Sequence, residues 1–585
     1  IRGFYGRNYN VGHPETRDVP AIQGVPKLLV QLASQRGIAD DDLQGFFNPT
    51  IKDMMIDPLS LKDMEPAAKL IADAIISNKK IGMVSDYDVD GATSVAIMGT
   101  LFHDIGLVND IDFQYYIPQR LSEGYGASPI SVDNLAHHEC SVLIFLDSGT
   151  IAYPAIERAN SLGIPVVVVD HHEPGPTWLD NKPNAFVINP KRPDDEAGVP
   201  TLCTAGLAIL LCVQINRFLV SEHGVAKESI PDVMEYMGLA ALGTVADMMP
   251  LQGLNRAYVR SGLARMHLLP GVAGLAMSVM GVEDPNDFPR MSAKDLGFAM
   301  GPAVNAAGRI DDCSMGARTL LSLDLASALK SGKELVGINQ IRKRMQREIE
   351  NQAEEQSEDI IRQGGQGDCL VVYNEGWHPG IIGIVAGRLK ETHNMPAVVI
   401  GAGGKGSGRS AHGFNLGEAF IEASARGILI GGGGHAAAGG LTIDPSKIQE
   451  FQDFMNEKSA GLEPIPDRID GILPPGMITS TFVRELECLE PFGMGNPAPV
   501  WLLENVVLTK AKWVGKEEKI HLSITFQSGQ SRLNGIMFSA KGTPLEKLSD
   551  MIGEKLSLIV QVSRNKRSAP GFSDIEIIVR DAVLE

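Results

Sequence analysis

The sequence is poor in cysteine and has no long uninterrupted apolar run. Its six cysteines are scattered and none is paired in a CxxC spacing, which indicates buried free thiols in a reducing compartment rather than disulfides or zinc. No stretch approaches 18 uninterrupted apolar residues, and residues 1–23 contain no apolar signal core. We therefore expect no membrane span and a cytoplasmic protein.

An excess of positive charge is also absent. The formal net charge is −19, with 52 Lys and Arg against 71 Asp and Glu, which opposes indiscriminate coating of duplex DNA. Nucleic-acid binding still depends on where the cations lie, because phosphate contacts are local. The length of 585 residues and the 44% of hydrophobic residues suffice for several globular domains.

Carboxylates follow apolar runs at four places in the first half. Residues 81–85 lead into Asp86-Tyr-Asp-Val-Asp90, residues 142–146 into Asp147, and residues 165–169 into Asp170-His171-His172. Stretches with helical spacing lie between them, so the pattern predicts an α/β fold with a parallel sheet. Ligands of such sheets bind beyond the carboxyl ends of the strands, where these three sites fall. The fourth, Asp247, follows a helical stretch at residues 233–242.

The acidic cluster indicates a metal site. A single Asp after a strand is usually a helix N-cap or a turn former. Three carboxylates alternating in Asp86, Asp88 and Asp90 would repel one another by about 1 kcal/mol or more unless a cation neutralised them. Carboxylates combined with imidazoles suit Mn²⁺ or Mg²⁺. The similar tripeptide His137-His138-Glu139 precedes a strand instead of following one, so we assign it to the surface at the opposite edge.

These motifs resemble those of the DHH phosphoesterase superfamily, in order and in spacing. Within it the chain resembles the bacterial RecJ exonuclease family over nearly its whole length. The motifs that carry this second resemblance are Gly301 to Arg309, Trp377 to Gly383, Gly406 to Ser410, Gly432 to His435 and Pro491 to Pro497.

The resemblance implies a two-metal nuclease of DNA recombination and repair. It would degrade single-stranded DNA from the 5′ end to 5′-mononucleotides, with two Mn²⁺ or Mg²⁺ ions. His172 would face the scissile phosphate. The implied metal ligands are Asp86, Asp88, Asp90, Asp147, His171 and Asp247. Some relatives carry a histidine where this chain has Val84, so we expect the second ion to be held more weakly, or mainly by Asp86 and Asp88.

A second lobe follows a long helix. Residues 334–363 are charged, almost free of Gly and Pro, and predict one helix of about 45 Å. Residues 401–409 hold five glycines, which is compatible with an anion-binding nest or with a plain hairpin. The resemblance implies a 5′-phosphate pocket formed by Ser407 and Arg409, with Arg309 from the first lobe. His435 is interpreted either as a contact to the substrate backbone or as a structural histidine.

The last segment predicts a small β-barrel. Strand-like runs at 500–503, 506–509, 520–526, 532–538, 555–562 and 575–579 are split by Gly, Ser and Lys, and the resemblance implies an OB-fold. Lysines alternate with an aromatic residue near its start, as in single-strand grooves, although a solvated hairpin tip explains the lysines equally well. These residues are Lys510, Lys512, Trp513, Lys516 and Lys519.

The predicted architecture has a parallel-sheet DHH domain with an N-terminal extension (1–330), a connecting helix (331–364), a DHHA1 substrate-binding domain (365–462) and an OB-fold nucleic-acid-binding domain (463–585). The expected partners are single-stranded DNA with a 5′ end, a single-strand-binding protein and a helicase, and the protein is expected to be a monomer. Two alternatives remain: a catalytically silent scaffold that binds single strands, and a DHH phosphodiesterase for short oligonucleotides.

Overall fold

The structure, a computed structural model, describes residues 1–106, 111–120, 122–362, 369–463, 465–515, 519–565 and 574–584. It forms two compact units. The first, the parallel-sheet unit, comprises Asn48–Arg342 and Pro491–Pro497. The second, the barrel unit, comprises Ile1–Phe47, Lys343–Glu490 and Ala498–Glu585.

The N-terminal extension belongs to the barrel unit. It contains strand β1 (Tyr9–Val11) and helices α1 (Lys27–Gln35) and α2 (Leu43–Phe47). The Tyr9 hydroxyl donates to Asp581 at 2.9 Å, and Arg36 forms a two-pronged ion pair with the buried Asp470. Residues 1–47 therefore group with the barrel, whereas the sequence placed them beside the first predicted domain.

A five-stranded parallel sheet organises the parallel-sheet unit. Its strand order is β3-β2-β4-β5-β6, and the predicted alternation of strands and helices is confirmed. The strands are β2 (Ile81–Ser85), β3 (Phe113–Tyr116), β4 (Val142–Leu146), β5 (Val166–Val169) and β6 (Phe186–Ile188). Because β2, β4 and β5 are buried along their whole length, they show continuous apolar runs rather than alternation.

Helices cover both faces of this sheet. One apolar core includes α4, α5, α8 and α9, and another includes α6 and α7. The helices of the unit are α3 (Ile51–Met54), α4 (Met64–Ile76), α5 (Val89–Gly106), α6 (Pro129–His137), α7 (Tyr153–Ser161), α8 (Thr204–Ser221), α9 (Met237–Ala246), α10 (Gly253–Leu263), α11 (Pro270–Met280), α12 (Ala293–Asp295), α13 (Gly301–Ile310) and α14 (Met315–Leu320).

Two features of these helices bear on the sequence predictions. Among the described residues one helix, α8, is long and apolar enough to cross a membrane, which is weak evidence because 78% of it is buried in the unit. His137, His138 and Glu139 end α6 and are exposed before β4. They therefore lie at the edge of the sheet opposite the strand ends, as expected.

The long helix α15 (Leu325–Arg362) has 38 residues and begins earlier than predicted. Asp324 precedes its first turn and accepts from the Ser327 amide at 2.8 Å. Ala328 is fully buried, and its Cβ lies 2.4 Å from where a Cβ on Gly274 would stand. The sequence pattern missed this first turn because the residues that pack there are small. Its predicted end, residues 363–364, falls outside the described residues.

The second lobe has a mixed five-stranded sheet of order β10-β11-β9-β8-β7. Residues 405–409 form an inner strand paired antiparallel with both neighbours, so of the two alternatives kept for this segment the structure has the hairpin with β8 and not the anion-binding nest. Small residues are needed because a Cβ on Gly406 would lie 2.6 Å from Leu441. The elements are β7 (Leu370–Tyr373), α16 (Pro379–His393), β8 (Ala397–Ile400), β9 (Lys405–Arg409), α17 (Leu416–Ala425), β10 (Gly431–Gly434), β11 (Ala438–Thr442) and α18 (Ile448–Ser459).

The C-terminal strands close into the predicted barrel. The sheet order is β13-β14-β15-β16-β18-β17, and β14 also pairs with β17. Two predicted strands merge into β14, with an irregularity after Leu503 where Asn505 adopts φ 57°. The elements are β12 (Asp467–Ile469), β13 (Gly471–Ile472), α19 (Ser480–Leu486), β14 (Val500–Val514), β15 (His521–Ser528), β16 (Ser531–Met537), β17 (Lys555–Arg564) and β18 (Ile575–Leu584).

Candidate metal centre and substrate-binding residues

Three aspartates begin the loops after three neighbouring strands of the parallel sheet. Ser85 pairs with Leu146, and Leu146 pairs with Val169. The following residues, Asp86, Asp147 and Asp170, therefore stand side by side at one edge. The backbone continues the pairing for one more step, since the Asp147 amide donates to Val169 at 3.0 Å. The register thus brings together motifs that are far apart in the chain.

The first motif places its carboxylates at two helix N-termini. Asp88 accepts from the Asp90 and Gly91 amides at the start of α5, so it acts as a helix cap. Asp90 is buried and accepts from the Thr204 and Ala205 amides at 2.7 and 2.9 Å, at the start of α8. The positive end of α8 favours a negative charge at Asp90. Each carboxylate retains further lone pairs for a cation.

Carboxylates converge on one imidazole nitrogen. Nε2 of His171 lies 3.3 Å from Asp247, 3.4 Å from Asp147 and 3.8 Å from Asp90. Neither ring nitrogen of His171 has a hydrogen-bond partner, although both are buried. Two ligands about 2.1 Å from one ion would stand about 3.0–3.4 Å apart. The residues therefore fit a divalent cation better than they fit a hydrogen-bond network.

The potential ligands fall into overlapping groups. Asp90, His171 and Asp247 can place their ligand atoms within 4.8 Å of one another, and so can Asp86, Asp88 and Asp147. Asp147 also joins a third group with His171 and His172. The structure thus brings all seven predicted residues of the centre together. Val84, at the position where some relatives carry histidine, is fully buried in β2.

The protonation behaviour of the metal-free cluster reflects crowding. Burial, followed by repulsion from Asp88, raises the pKa of Asp86 to about 8. Burial, followed by repulsion from Asp90, raises the pKa of Asp247 to about 8, and burial with the same neighbour also raises the pKa of Asp147. Burial lowers the pKa of the His171 imidazole. A divalent cation would lower the pKa values of the three carboxyls again and would keep the His171 imidazole neutral, because positive charge disfavours protonation of both kinds of group.

Asp170 orients the two histidines that follow it. Its carboxylate is buried and accepts from the Thr150, His171 and His172 amides and from Nδ1 of His172 at 2.7 Å. Burial opposes its ionisation, but the bonds from His172 and Thr150 outweigh burial and lower the pKa of Asp170. Burial alone would lower the pKa of His172, but the Asp170 carboxylate raises it to about 9. His172 is therefore held as a cation at neutral pH.

Sequence reasoning missed Tyr125, which stands beside His172. Its hydroxyl donates to the Asp147 carbonyl at 3.0 Å and lies 3.1 Å from both ring nitrogens of His172. The side chain is nevertheless 54% exposed. The signal in the sequence was an aromatic residue between Gly124 and Gly126, both of which have positive φ.

The loop that begins at Asp147 has unusual backbone geometry. Asp147 has φ 56°, and Gly149 has φ 115°. Non-glycine residues with positive φ are uncommon and occur where surrounding contacts hold them. The Thr204 hydroxyl donates to the Asp147 carboxylate at 3.1 Å. The fold therefore holds this carboxylate in a conformation that the local sequence does not favour.

Arg309 lies in the last turn of α13, in the parallel-sheet unit. A Cβ on the preceding Gly308 would lie 3.2 Å from the Tyr87 carbonyl. The end of α13 thus packs against the first metal-binding motif.

Ser407, Arg409 and His435 lie in the barrel unit. Ser407 and Arg409 project from the same face of β9, and the Arg409 guanidinium donates to the Ser407 hydroxyl at 3.1 Å. A Cβ on Gly383 of α16 would stand 3.0 Å from that hydroxyl. His435 is exposed in the β10–β11 hairpin, next to Ala438, which pairs with Arg409.

The motif Pro491–Pro497 belongs to the parallel-sheet unit, although it is far along the chain from the other residues of that unit, Asn48–Arg342. The Leu251 amide donates to the Met494 carbonyl at 2.8 Å, and the buried Arg256 donates to the Pro491 carbonyl at 3.3 Å. A Cβ on Gly493 would stand 2.7 Å from Leu251. The motif therefore braces the loop that follows Asp247, a role that the sequence pattern did not reveal.

Lys510 and Lys512 are exposed on β14 of the barrel. Trp513, the next residue along the strand, is half-buried. Lys510 pairs across the sheet with Thr525, and Lys512 with Ser523. Lys519 is exposed, and Lys516 lies outside the described residues. The predicted lysines that the structure describes therefore belong to a polar sheet face and its rim.

The chain matches three known families along its length. Residues 80–244 match the DHH family, N-terminal domain, residues 366–460 the DHHA1 domain, and residues 469–581 the RecJ OB domain. Asp247 lies just beyond the first match.

Whole-chain relatives carry one name. The chain is 32% identical over 553 residues to the single-stranded-DNA-specific exonuclease RecJ of Escherichia coli, a match that covers 90% of this chain and 91% of that relative. It is 30% identical to the Bacillus subtilis protein of the same name, over 96% of this chain and 68% of that relative.

Solved structures show the same fold. The crystal structure of RecJ in complex with Mn²⁺ from Thermus thermophilus matches with a TM-score of 0.77 and 26% identity, covering 99% of this chain and 80% of that one. The complex with Mg²⁺ matches with a TM-score of 0.72 and 25% identity, covering 99% and 78%.

Proposed function

Because the chain belongs to the RecJ family, whose members are named single-stranded-DNA-specific exonucleases, we propose that it removes nucleotides from the 5′ end of single-stranded DNA by a two-metal mechanism. Its activity as a metal-dependent single-strand exonuclease follows from the family, and Mn²⁺ or Mg²⁺ is its cofactor. Direction, product and number of ions are the proposed parts.

The observation that carries the proposal is the convergence of Asp90, Asp147 and Asp247 on the unpartnered His171 Nε2. A silent scaffold would have no reason to keep the buried His171 imidazole and one Asp247 oxygen without hydrogen-bond partners, since such groups destabilise the fold. The group of Asp86, Asp88 and Asp147 supports a second ion, and Asp147 adjoins both sites because its carboxylate also lies 3.4 Å from Nε2 of His171.

Bound divalent ions would lower the pKa of a water molecule and neutralise charge on the attacking and leaving oxygens. The residues of the chain do the positioning. Asp88 and Asp90 are fixed by helix N-termini, and Asp147 is fixed by Thr204. The ligands are therefore in place before substrate arrives, so little reorganisation accompanies the reaction.

We infer that His172 contacts the phosphate undergoing cleavage. Asp170 holds its Nδ1 at 2.7 Å and stabilises its positive charge, and the side chain remains 44% exposed. A cationic imidazole in this position can donate a charge-assisted hydrogen bond to a phosphate oxygen. The interaction strengthens as negative charge develops on the phosphate.

We infer that Ser407 and Arg409 bind the 5′-terminal phosphate, with Arg309 and His435 as further substrate contacts. An arginine and a hydroxyl on one strand face form a site for a phosphate, since guanidinium groups bind phosphate oxygens in pairs. Recognition of the terminal phosphate would favour strands that present a 5′ end. We infer release of 5′-mononucleotides from that preference.

The exposed Lys510 and Lys512 with the half-buried Trp513 are proposed to hold the strand farther from its end. Phosphate contacts by lysine and base stacking on an aromatic side chain together bind single strands without sequence preference. A single-strand-binding protein and a helicase are proposed as partners, because both expose or present single strands. We also propose that the protein acts as a monomer in the cytoplasm.

The test uses purified protein with Mn²⁺ and single strands labelled at either end. We expect the 5′-labelled strand to release labelled mononucleotide at once, while the 3′-labelled strand shortens gradually. His171→Ala serves as the matched control. It removes one predicted ligand, so its folded form should release no label.

Other outcomes would choose between the alternatives. Release of label first from the 3′ end would reverse the proposed direction. Strand binding without cleavage in Mn²⁺ and Mg²⁺ would support the scaffold. Cleavage restricted to strands of a few nucleotides would support a phosphodiesterase for short oligonucleotides.

A further inference from the structure

Asn189 occupies the fourth position in the row that contains Asp86, Asp147 and Asp170. It follows β6 directly, as those aspartates follow their strands, and Val169 pairs with Ile188. The Asp170 amide donates to the Ile188 carbonyl at 3.0 Å. In the sequence Asn189 precedes Pro190, and Asn-Pro is a pair typical of turns. Nothing in the local pattern distinguishes it from an ordinary turn residue.

The Asn189 side chain is fully buried and fully bonded. Its Nδ2 donates to the His172 carbonyl at 2.8 Å and to the Thr150 hydroxyl at 2.9 Å. Its Oδ1 accepts from the Lys191 amide at 2.9 Å. Rotating the amide by 180° would bring its oxygen against the His172 carbonyl, where two acceptors would repel. The bonding pattern therefore requires this orientation.

These bonds close a network between two metal-binding loops. Thr150 belongs to the loop after Asp147, and its amide donates to Asp170 at 3.0 Å. His172 belongs to the next loop and is bonded to the same carboxylate. Asn189 thus connects the backbone of one loop to a side chain of the other. The bond to Thr150 is buried and the bond to the His172 carbonyl is partly buried, and shielding from water strengthens the effect of each bond on geometry.

We propose that Asn189 is a positioning residue of the nuclease centre, which holds His172 and the Asp147–Thr150 loop in register. It touches neither the predicted metal ligands' coordinating atoms nor the substrate, and it acts through the His172 carbonyl and the Thr150 hydroxyl. Alanine would remove both donors and leave two buried acceptors unpaired. The inference rests on the proposed function, since His172 is assigned there to the phosphate.

The first experiment measures cleavage of 5′-labelled single strands by Asn189→Ala, His172→Ala and the double variant. Loss of groups that orient a catalytic centre reduces activity by roughly 10- to 100-fold, so we expect Asn189→Ala to lower kcat by that factor with little change in KM. The double variant should lose less activity than the product of the two single losses, because part of the effect of Asn189 passes through the position of His172. Asn181→Ala, which removes an exposed asparagine in the same unit, is the matched control.

A second readout needs neither metal nor substrate. The Thr150 and His172 amides both donate to Asp170, so their hydrogen exchange reports on the network. In metal-free protein, Asn189→Ala should accelerate exchange in residues 147–150 and 170–172 by roughly 10-fold or more. Exchange in residues 397–409, in the barrel unit, should not change. If the wild type cleaves no strand, the proposed nuclease function is refuted. The hydrogen-exchange measurement would still test whether Asn189 holds the two loops together.

The role of Asn189 is refuted if kcat and exchange match the wild type, or if its effect multiplies with that of His172→Ala. Should Asn189→Ala fail to fold, Thr150→Val and Thr150→Ser replace it. Valine has the size of threonine but lacks the hydroxyl, whereas serine retains it. A loss of kcat in the valine variant that the serine variant largely restores supports the network. Equal activity of the two variants overturns it.

Discussion

Replacing Asp86 by Asn should stabilise the metal-free protein at pH 8 while weakening its response to Mn²⁺. The substitution preserves the size of the side chain and removes its charge. Burial and the Asp88 charge raise the pKa of Asp86 to about 8, from an ordinary value of 3.8. The ionised carboxylate is therefore an unfavourable component of the folded, metal-free state.

The direction of the pH effect follows from proton binding. Between pH 4 and 8 the folded chain keeps a proton on Asp86 that the unfolded chain releases, so stability falls as pH rises through this range. The full shift corresponds to roughly 6 kcal/mol at pH 8. Asn retains a buried amide with an unpaired group, since Asp86 Oδ1 has no partner, and this costs about 1–3 kcal/mol. A net gain of about 3–5 kcal/mol remains.

The assay is thermal unfolding of wild type and Asp86→Asn in EDTA at pH 6, 7 and 8, with and without saturating Mn²⁺. A gain of this size should raise the Tm of the parallel-sheet unit by about 5–10 °C at pH 8 in EDTA. The difference should shrink towards pH 6. Mn²⁺ should raise the Tm of the wild type more than that of the variant, because binding to the folded state stabilises by mass action.

Asp180→Asn is the control, because Asp180 is exposed in the same unit. This variant should have nearly the same Tm as the wild type under every condition. The reasoning fails if Asp86→Asn in EDTA is no more stable than the wild type at pH 8, or if its advantage does not grow from pH 6 to pH 8. If Mn²⁺ raised the Tm of both proteins equally, Asp86 would not be a metal ligand.

Three further predictions concern activity and binding. His171→Ala should abolish Mn²⁺-dependent cleavage in a folded protein, because Nε2 is where the carboxylates converge; turnover at the wild-type rate in a strand-cleavage assay would refute the metal assignment. Arg409→Ala should reduce the preference for 5′-phosphorylated over 5′-hydroxyl strands by roughly 10-fold, and an unchanged ratio of kcat/KM would contradict it. Lys510→Ala combined with Lys512→Ala should weaken binding of long strands and reduce the slope of log Kd against log salt concentration by about 1.4; a titration at several salt concentrations that gives the wild-type slope would contradict strand binding by these lysines.

Much of the metal centre was predictable because its signals are local. Each of Asp86, Asp147 and Asp170 follows a run of apolar residues, and parallel strands must end at the same edge of their sheet. The structure places these residues side by side. The surface position of His137 and His138 was predictable for the same reason, since they precede a strand.

Other elements were beyond local patterns. The glycines of residues 401–409 suit a loop as well as an inner strand, and only packing of Gly406 against Leu441 selects the strand. The first turn of α15 was missed because Ala328 and its neighbours carry no helical stripe of large apolar residues. Tyr125 lies between two glycines in the sequence, and only the fold places its hydroxyl beside His172.

The sequence by itself determined which side chains are available for chemistry, that they follow strands, and which family the motifs resemble. Tertiary structure decided which of them meet. Asp90 accepts a hydrogen bond from the α8 N-terminus, 114 residues away. Pro491–Pro497 packs against the loop after Asp247, and Asn189 joins the loops that follow β4 and β5. The spacing of apolar residues that predicts a strand or a helix depends only on neighbours in the chain. The contacts named above form only when separate elements pack together.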